Sequence, residues 1–100
     1  MLNIAKTIDN GKAAFALEGR LDTVTAPELE KEMKASLEGV SELTMDFGKL
    51  EYISSAGLRV LLTAQKQMNR QAGEMKLVGV SGEILEVFEV TRFSDILTIR

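Results

Sequence analysis

A change of hydrophobic period with almost no spacer constrains this chain more than any other feature. Leu43, Met45 and Phe47 alternate with Glu42, Thr44 and Asp46, the period-two pattern of a strand with one covered face. The segment then runs through Ile53 into Ser54 and Ser55. Beyond these, Leu58, Leu61, Leu62, Gln65 and Met68 recur along one helical stripe, with Arg59, Lys66, Asn69 and Arg70 turned away. Gly73 is the expected end of that helix. A strand passing straight into a helix in this way leaves a serine hydroxyl at the helix N-terminus, and the one-sided strand predicts helices on one face of its sheet.

The rest of the sequence supplies partners for that unit. Leu2, Ile4 and Ile8 precede Asn10-Gly11, the dipeptide best suited to a two-residue hairpin because both positions tolerate positive φ. Ala13 to Leu17 is the returning strand. After Gly19-Arg20-Leu21-Asp22, the run Thr25-Ala26-Pro27-Glu28 has the form of a capping box, with the Thr25 hydroxyl and Glu28 carboxylate satisfying free amides. Leu29, Met33 and Leu37 continue at helical spacing opposite Glu30, Lys31, Glu32 and Lys34, and Gly39 suits the C-terminal cap. Met75, Leu77 and Gly79 predict a strand, Ser81 caps a short helix carrying Leu85 and Phe88, and Ile96 to Ile99 predict a last strand. The alternation favours an α/β layer with crossover helices, built as a single domain over residues 1–100.

Charge and composition exclude several functions. The net charge of −3 and scattered Lys and Arg do not make the clustered basic footprint of a nucleic-acid surface, so a protein partner is expected. Histidine and cysteine are both absent, which removes disulfides, thiolates and the commonest zinc and proton-transfer ligands. A serine nucleophile would have only lysine or a carboxylate as its base, and no phosphate-cradling GxxxxGK is present. No catalytic residue, metal site or cofactor is expected. The sequence holds no run of 18 apolar residues, and Met1-Leu2-Asn3-Ile4-Ala5-Lys6 lacks the basic-then-apolar order of a signal peptide. The expectation is a cytoplasmic protein without membrane insertion.

Two readings of Ser55 stand side by side. As an N-cap it would hold the helix start. As a phosphate acceptor it would place a group of about −2 charge against free amides and the positive end of the helix dipole. Gly57 likewise has two readings, close helix–sheet packing or room beside the acceptor for another protein's active site.

The run Asp46-Phe47 through Leu50, with Tyr52-Ile53-Ser54-Ser55-Ala56-Gly57-Leu58, resembles the signature of STAS domains, specifically bacterial anti-sigma factor antagonists. Gly19-Arg20-Leu21-Asp22 resembles that family's lead-in to its first helix. The resemblance implies a mixed sheet of about five strands with helices packed on one face. It also implies partner switching, in which the unphosphorylated protein captures an anti-sigma factor with serine-kinase activity and releases the sigma factor. Phosphorylation ends that binding, and a PP2C-type phosphatase is the implied counterpart.

Position by position, the acceptor falls on Ser55, with Ser54 the second choice. Ser54 stands where the sporulation-type pattern often has an aspartate. The implied partner-binding residues are Asp22, Ser54, Ser55, Ala56, Gly57 and Arg59. Asp22 also reads as a loop aspartate turning the chain before Thr25, and Arg59 reads either as a residue of the interface rim or as a merely solvated side chain. The alternative function for this fold is a binding or scaffold module of a lipid-transport or stressosome complex.

Overall fold

A computed structural model describes residues 2–99. The expected hairpin forms from β1 (Leu2–Asp9) and β2 (Lys12–Leu21), paired antiparallel. Asn10 and Gly11 both take positive φ, +48° and +77°, as the two-residue turn requires. Helix α1 (Ala26–Ser36) crosses to β3 (Glu42–Ile53), α2 (Ser55–Arg70) to β4 (Glu74–Val78), and α3 (Gly82–Val90) to β5 (Thr98–Ile99). The sheet order is β1-β2-β3-β4-β5, parallel from β2 onward.

One face of the sheet carries the core. Ala13, Phe15 and Leu17 of β2, Leu43, Met45 and Phe47 of β3, and Met75 and Leu77 of β4 all point beneath the helices. Phe47 meets Phe88 of α3 at 6.3 Å between ring centroids, tilted by 50°, a favourable aromatic geometry. Residues of opposite parity, such as Ala14, Ala16 and Asp46, face solvent. The mixed sheet with helices on one face agrees with the expectation.

Local details depart from it. The start of α1 does not use a capping box, for Thr25 already has helical φ and ψ and makes no side-chain cap bond. The free amides lie one turn earlier, at Val24 and Thr25, and Asp22 Oδ1 accepts both at 3.0 Å. The Thr25 hydroxyl instead donates to the Arg20 carbonyl and accepts from the Asp22 amide, each at 2.8 Å. On α2, Leu62 is only half-buried, whereas Val60 and Ala64 join the core. Ile84 is buried where Leu85 was expected to be, β4 ends at Val78, and a 3₁₀ turn (Phe93–Asp95) leaves only Thr98–Ile99 as the last strand.

The C-terminus of α2 departs most instructively. The left-handed residue is Ala72, with φ +57°, not Gly73. The Ala72 amide donates to the Asn69 carbonyl at 3.1 Å and the Gly73 amide to the Met68 carbonyl at 2.8 Å, the paired bonds of a Schellman motif. Gly73 serves close approach, since a Cβ there would lie 2.7 Å from Met68 Cε and 2.9 Å from the Ser41 carbonyl oxygen. Gln71 completes the corner, its Nε2 donating to the carbonyls of Leu37 and Val40 at 3.0 and 2.9 Å.

Left-handed backbone costs an alanine about 1 kcal/mol more than a glycine, partly offset by glycine's greater freedom when unfolded. Ala72→Gly is therefore expected to raise stability by about 0.5 kcal/mol in urea titration, and Gly73→Ala to lower it by at least ~1 kcal/mol through the clash with backbone.

Candidate functional site

The site is assembled where β2 and β3 end together. Leu21 pairs with Ile53, although β3 spends two more residues than β2 in reaching that pair from Ala16 and Asp46. The extra residues are taken up in register shifts after Ala16 and after Gly19, and Gly19 has φ +105°. On β3 the buried positions therefore pass from alternation to Phe47, Leu50 and Ile53. The Asp46 carboxylate accepts the Gly48 amide at 2.8 Å within this irregular stretch, as bulged strands need local partners for displaced amides.

Beyond the paired ends, both chains turn into helices. The Ser54 amide donates to the Leu21 carbonyl at 2.9 Å, so the ladder continues one bond past the strand. Ser54 has extended φ and ψ, and its hydroxyl accepts the Gly57 amide at 3.3 Å. Its carbonyl accepts the first helical bond, from the Leu58 amide at 3.0 Å. Ser54 is therefore the N-cap and Ser55 the first helical residue, a correction to the expectation that Ser55 caps. The cause is the Leu21 bond, which holds Ser54 extended and lets the helix begin only at the next residue.

Ser55 is exposed, and among the described residues its hydroxyl makes no hydrogen bond. The backbone amides of Ser55 and Ala56 also make no bond to a protein acceptor among those residues. Ala56 is half-buried against the core. Gly57 is buried, and a Cβ there would meet Leu21 Cγ at 2.7 Å and Ile53 Cγ1 at 3.0 Å. Its bare face thus turns inward to the sheet, as the packing reading expects. Arg59 is exposed.

Asp22 follows Leu21 and so stands at the same sheet end as Ser54. Its Oδ1 holds the two amides of the α1 turn, while Oδ2 lies 3.8 Å from Arg20 Nε. The Thr25 amide, with help from the Thr25 hydroxyl and the Val24 amide, outweighs desolvation and holds the carboxyl below its ordinary 3.8. The loop-turning reading of Asp22 is thereby realised. The Arg20 guanidinium also lies over the Tyr52 ring, 4.3 Å from its centroid, and Val24, in the turn that follows Asp22, is 81% exposed. The Arg20–Tyr52 stack was not anticipated, because the two become neighbours only through the register shifts.

The chain matches the STAS domain family over residues 3–100. It is 36% identical over 91 residues to BtrV of Bordetella bronchiseptica, a protein provisionally named an anti-sigma factor antagonist, covering 90% of this chain and 78% of that one. It is 33% identical over 97 residues to the anti-sigma-B factor antagonist of Listeria monocytogenes, with 95% and 84% covered. The chain belongs to the STAS domain family. Its fold also superposes on the Bacillus anti-sigma factor antagonist SpoIIAA. The TM-score is 0.79 for the unphosphorylated form (17% identity, 98% of this chain and 87% of that one) and 0.76 for the phosphorylated form (16%, 100% and 91%). Among the described residues no helix of this STAS domain is long and apolar enough to cross a membrane.

The division of labour between the serines has measurable consequences. Ser54→Ala removes the cap and is expected to cost about 1 kcal/mol in chemical denaturation, whereas Ser55→Ala should change stability by less than ~0.5 kcal/mol. Asp22 has a lowered folded pKa, so its stabilisation is complete above about pH 4 and is lost as pH falls through the folded value. Asp22→Asn keeps an acceptor for the amides but cannot titrate. Its stability should therefore fall less steeply than wild type as pH is lowered below about 4, as followed by thermal melts.

Proposed function

We propose that this chain is a cytoplasmic anti-sigma factor antagonist that works by partner switching. The unphosphorylated form binds an anti-sigma factor with serine-kinase activity, and the sigma factor is released. The kinase then moves the γ-phosphoryl group of ATP to Ser55 Oγ, the hydroxyl proton leaves and ADP departs, and binding ends. A PP2C-type phosphatase hydrolyses the ester with water, returning serine and inorganic phosphate.

The observation that carries this reading is the free Ser55 hydroxyl. It is exposed, it is not engaged in the cap, and it stands on the first helical residue beside two amides that meet no protein acceptor among the described residues. A phosphate there gains from the helix N-terminus without breaking any bond of the fold. The names of the Bordetella and Listeria relatives support the anti-sigma partner, and SpoIIAA is a protein of the same fold known in both phosphorylation states. Asp22, Ser54, Ser55, Ala56 and Arg59 form the proposed contact face, with Gly57 acting beneath it through packing.

The switch is local and electrostatic. Buried against a partner, a dianion on Ser55 would lose its hydration near Asp22 and Glu51, where like charges cost several kcal/mol. A cost of ~3 kcal/mol weakens binding about a hundredfold.

Incubation with the cognate kinase and Mg-ATP is expected to add one phosphate by intact-mass spectrometry, and none to Ser55→Ala. A phosphate that persists in Ser55→Ala but disappears in Ser54→Ala would transfer the acceptor role to Ser54. Ser55→Asp should weaken anti-sigma binding at least tenfold in calorimetry while leaving the melting temperature within about 2 °C. Unchanged affinity would remove the electrostatic switch.

A further inference from the structure

Helix α2 carries Arg59, Lys66 and Arg70 and no Asp or Glu. Lys66 and Arg70 sit toward the C-terminal end, where the dipole favours cations, but Arg59 lies in the N-terminal half, where it does not. Arg59 is exposed, and among the described residues it makes no ion pair. Among the described residues the fold therefore gives this charge no stabilising role. Its position relative to Ser55 does, because the two stand at i and i+4 on one helix, both exposed, with Cβ atoms about 5–6 Å apart. An acidic group four residues N-terminal to a cation is the favourable order for such a pair. Guanidinium is also the cation whose planar fork matches phosphate oxygens.

We propose that Arg59 is the intramolecular partner of the Ser55 phosphate. In the unphosphorylated chain its guanidinium is free to meet the anti-sigma factor at the rim of the contact face. Once Ser55 carries a phosphate, the same guanidinium folds back one turn and pairs with it. Phosphorylation then acts twice, placing a dianion on the contact face and withdrawing a cation from it. The other nearby guanidinium, Arg20, is already stacked on Tyr52 and 3.8 Å from Asp22, which leaves Arg59 as the uncommitted one of the two.

The inference rests on Ser55 being the acceptor, and ³¹P NMR of the phosphorylated full chain between pH 4 and pH 8 tests the two separately. The second ionisation of phosphoserine, near pH 6, is the readout, and a merely structural role for Arg59 would not move it. Arg59→Gln is expected to raise the titration midpoint by about 0.2–0.4 unit relative to wild type. Arg59→Lys should recover part of that shift, and Arg20→Gln should leave it in place. A midpoint unmoved by Arg59→Gln overturns the pairing. A rise seen only in Arg20→Gln overturns it too and assigns the phosphate to Arg20. Absence of any phosphoserine resonance at Ser55 overturns the acceptor reading itself, and the pairing with it.

Discussion

The contact of Gly57 with Leu21 and Ile53 is the constraint on which the rest of the site depends. A helix that begins one residue after a strand must turn sharply back over the sheet, and its first turn then presses on the strand ends. Any side chain at position 57 would stand 2.7–3.0 Å from Leu21 and Ile53, too close without displacing one of them. With glycine there, α2 seats directly on the last pair of the β2–β3 ladder. Ser54 is then drawn into the ladder through the Leu21 carbonyl, and Ser55 is lifted out as the first exposed helical residue.

The same ladder end fixes Asp22 and thereby α1. Because Leu21 is the last paired residue of β2, Asp22 leaves the sheet beside Ser54, and its carboxylate is spent on the Val24 and Thr25 amides. The buried Thr25 hydroxyl closes the turn by bridging Arg20 and Asp22. Two helix starts are therefore set by two side chains, Asp22 and Ser54, which follow the directly paired Leu21 and Ile53. A carboxylate already holding two amides resists protonation, so Asp22 stays negative across physiological pH.

How far the amino-acid sequence made this legible follows from which rules are local. The Asn10-Gly11 hairpin, the alternation through Phe47 and the α2 stripe depend on near neighbours, and the fold bears them out except at Leu62, which is only half-buried. The spacing Phe47-Leu50-Ile53 matches neither a strand nor a helix period, and it is the trace of the register shifts that make Arg20 and Tyr52 neighbours. Ala72 in left-handed backbone was illegible beside Gly73, because propensity favours the glycine while the Ser41 carbonyl, distant in sequence, claims it for packing. The one-residue question of Ser54 against Ser55 lies within the usual uncertainty of helix ends. It is decided by the Leu21 hydrogen bond, a contact across 33 positions that no local pattern contains.

That one-residue displacement bears directly on how such a switch could work. If one hydroxyl both capped the helix and accepted the phosphate, each phosphorylation would disturb the bond that starts α2, and regulation would be paid in stability. Ser54 is half-buried, its amide tied to Leu21 and its hydroxyl turned to Gly57, so a phosphate there would have to be accommodated against the sheet end. Ser55 has neither tie. Separating cap from exposed hydroxyl would let a charge of about −2 come and go, under the proposed switch, while the ladder, the cap and the Gly57 contact stay as they are. The free-energy difference between the two states would then fall on the partner interface instead of on the fold.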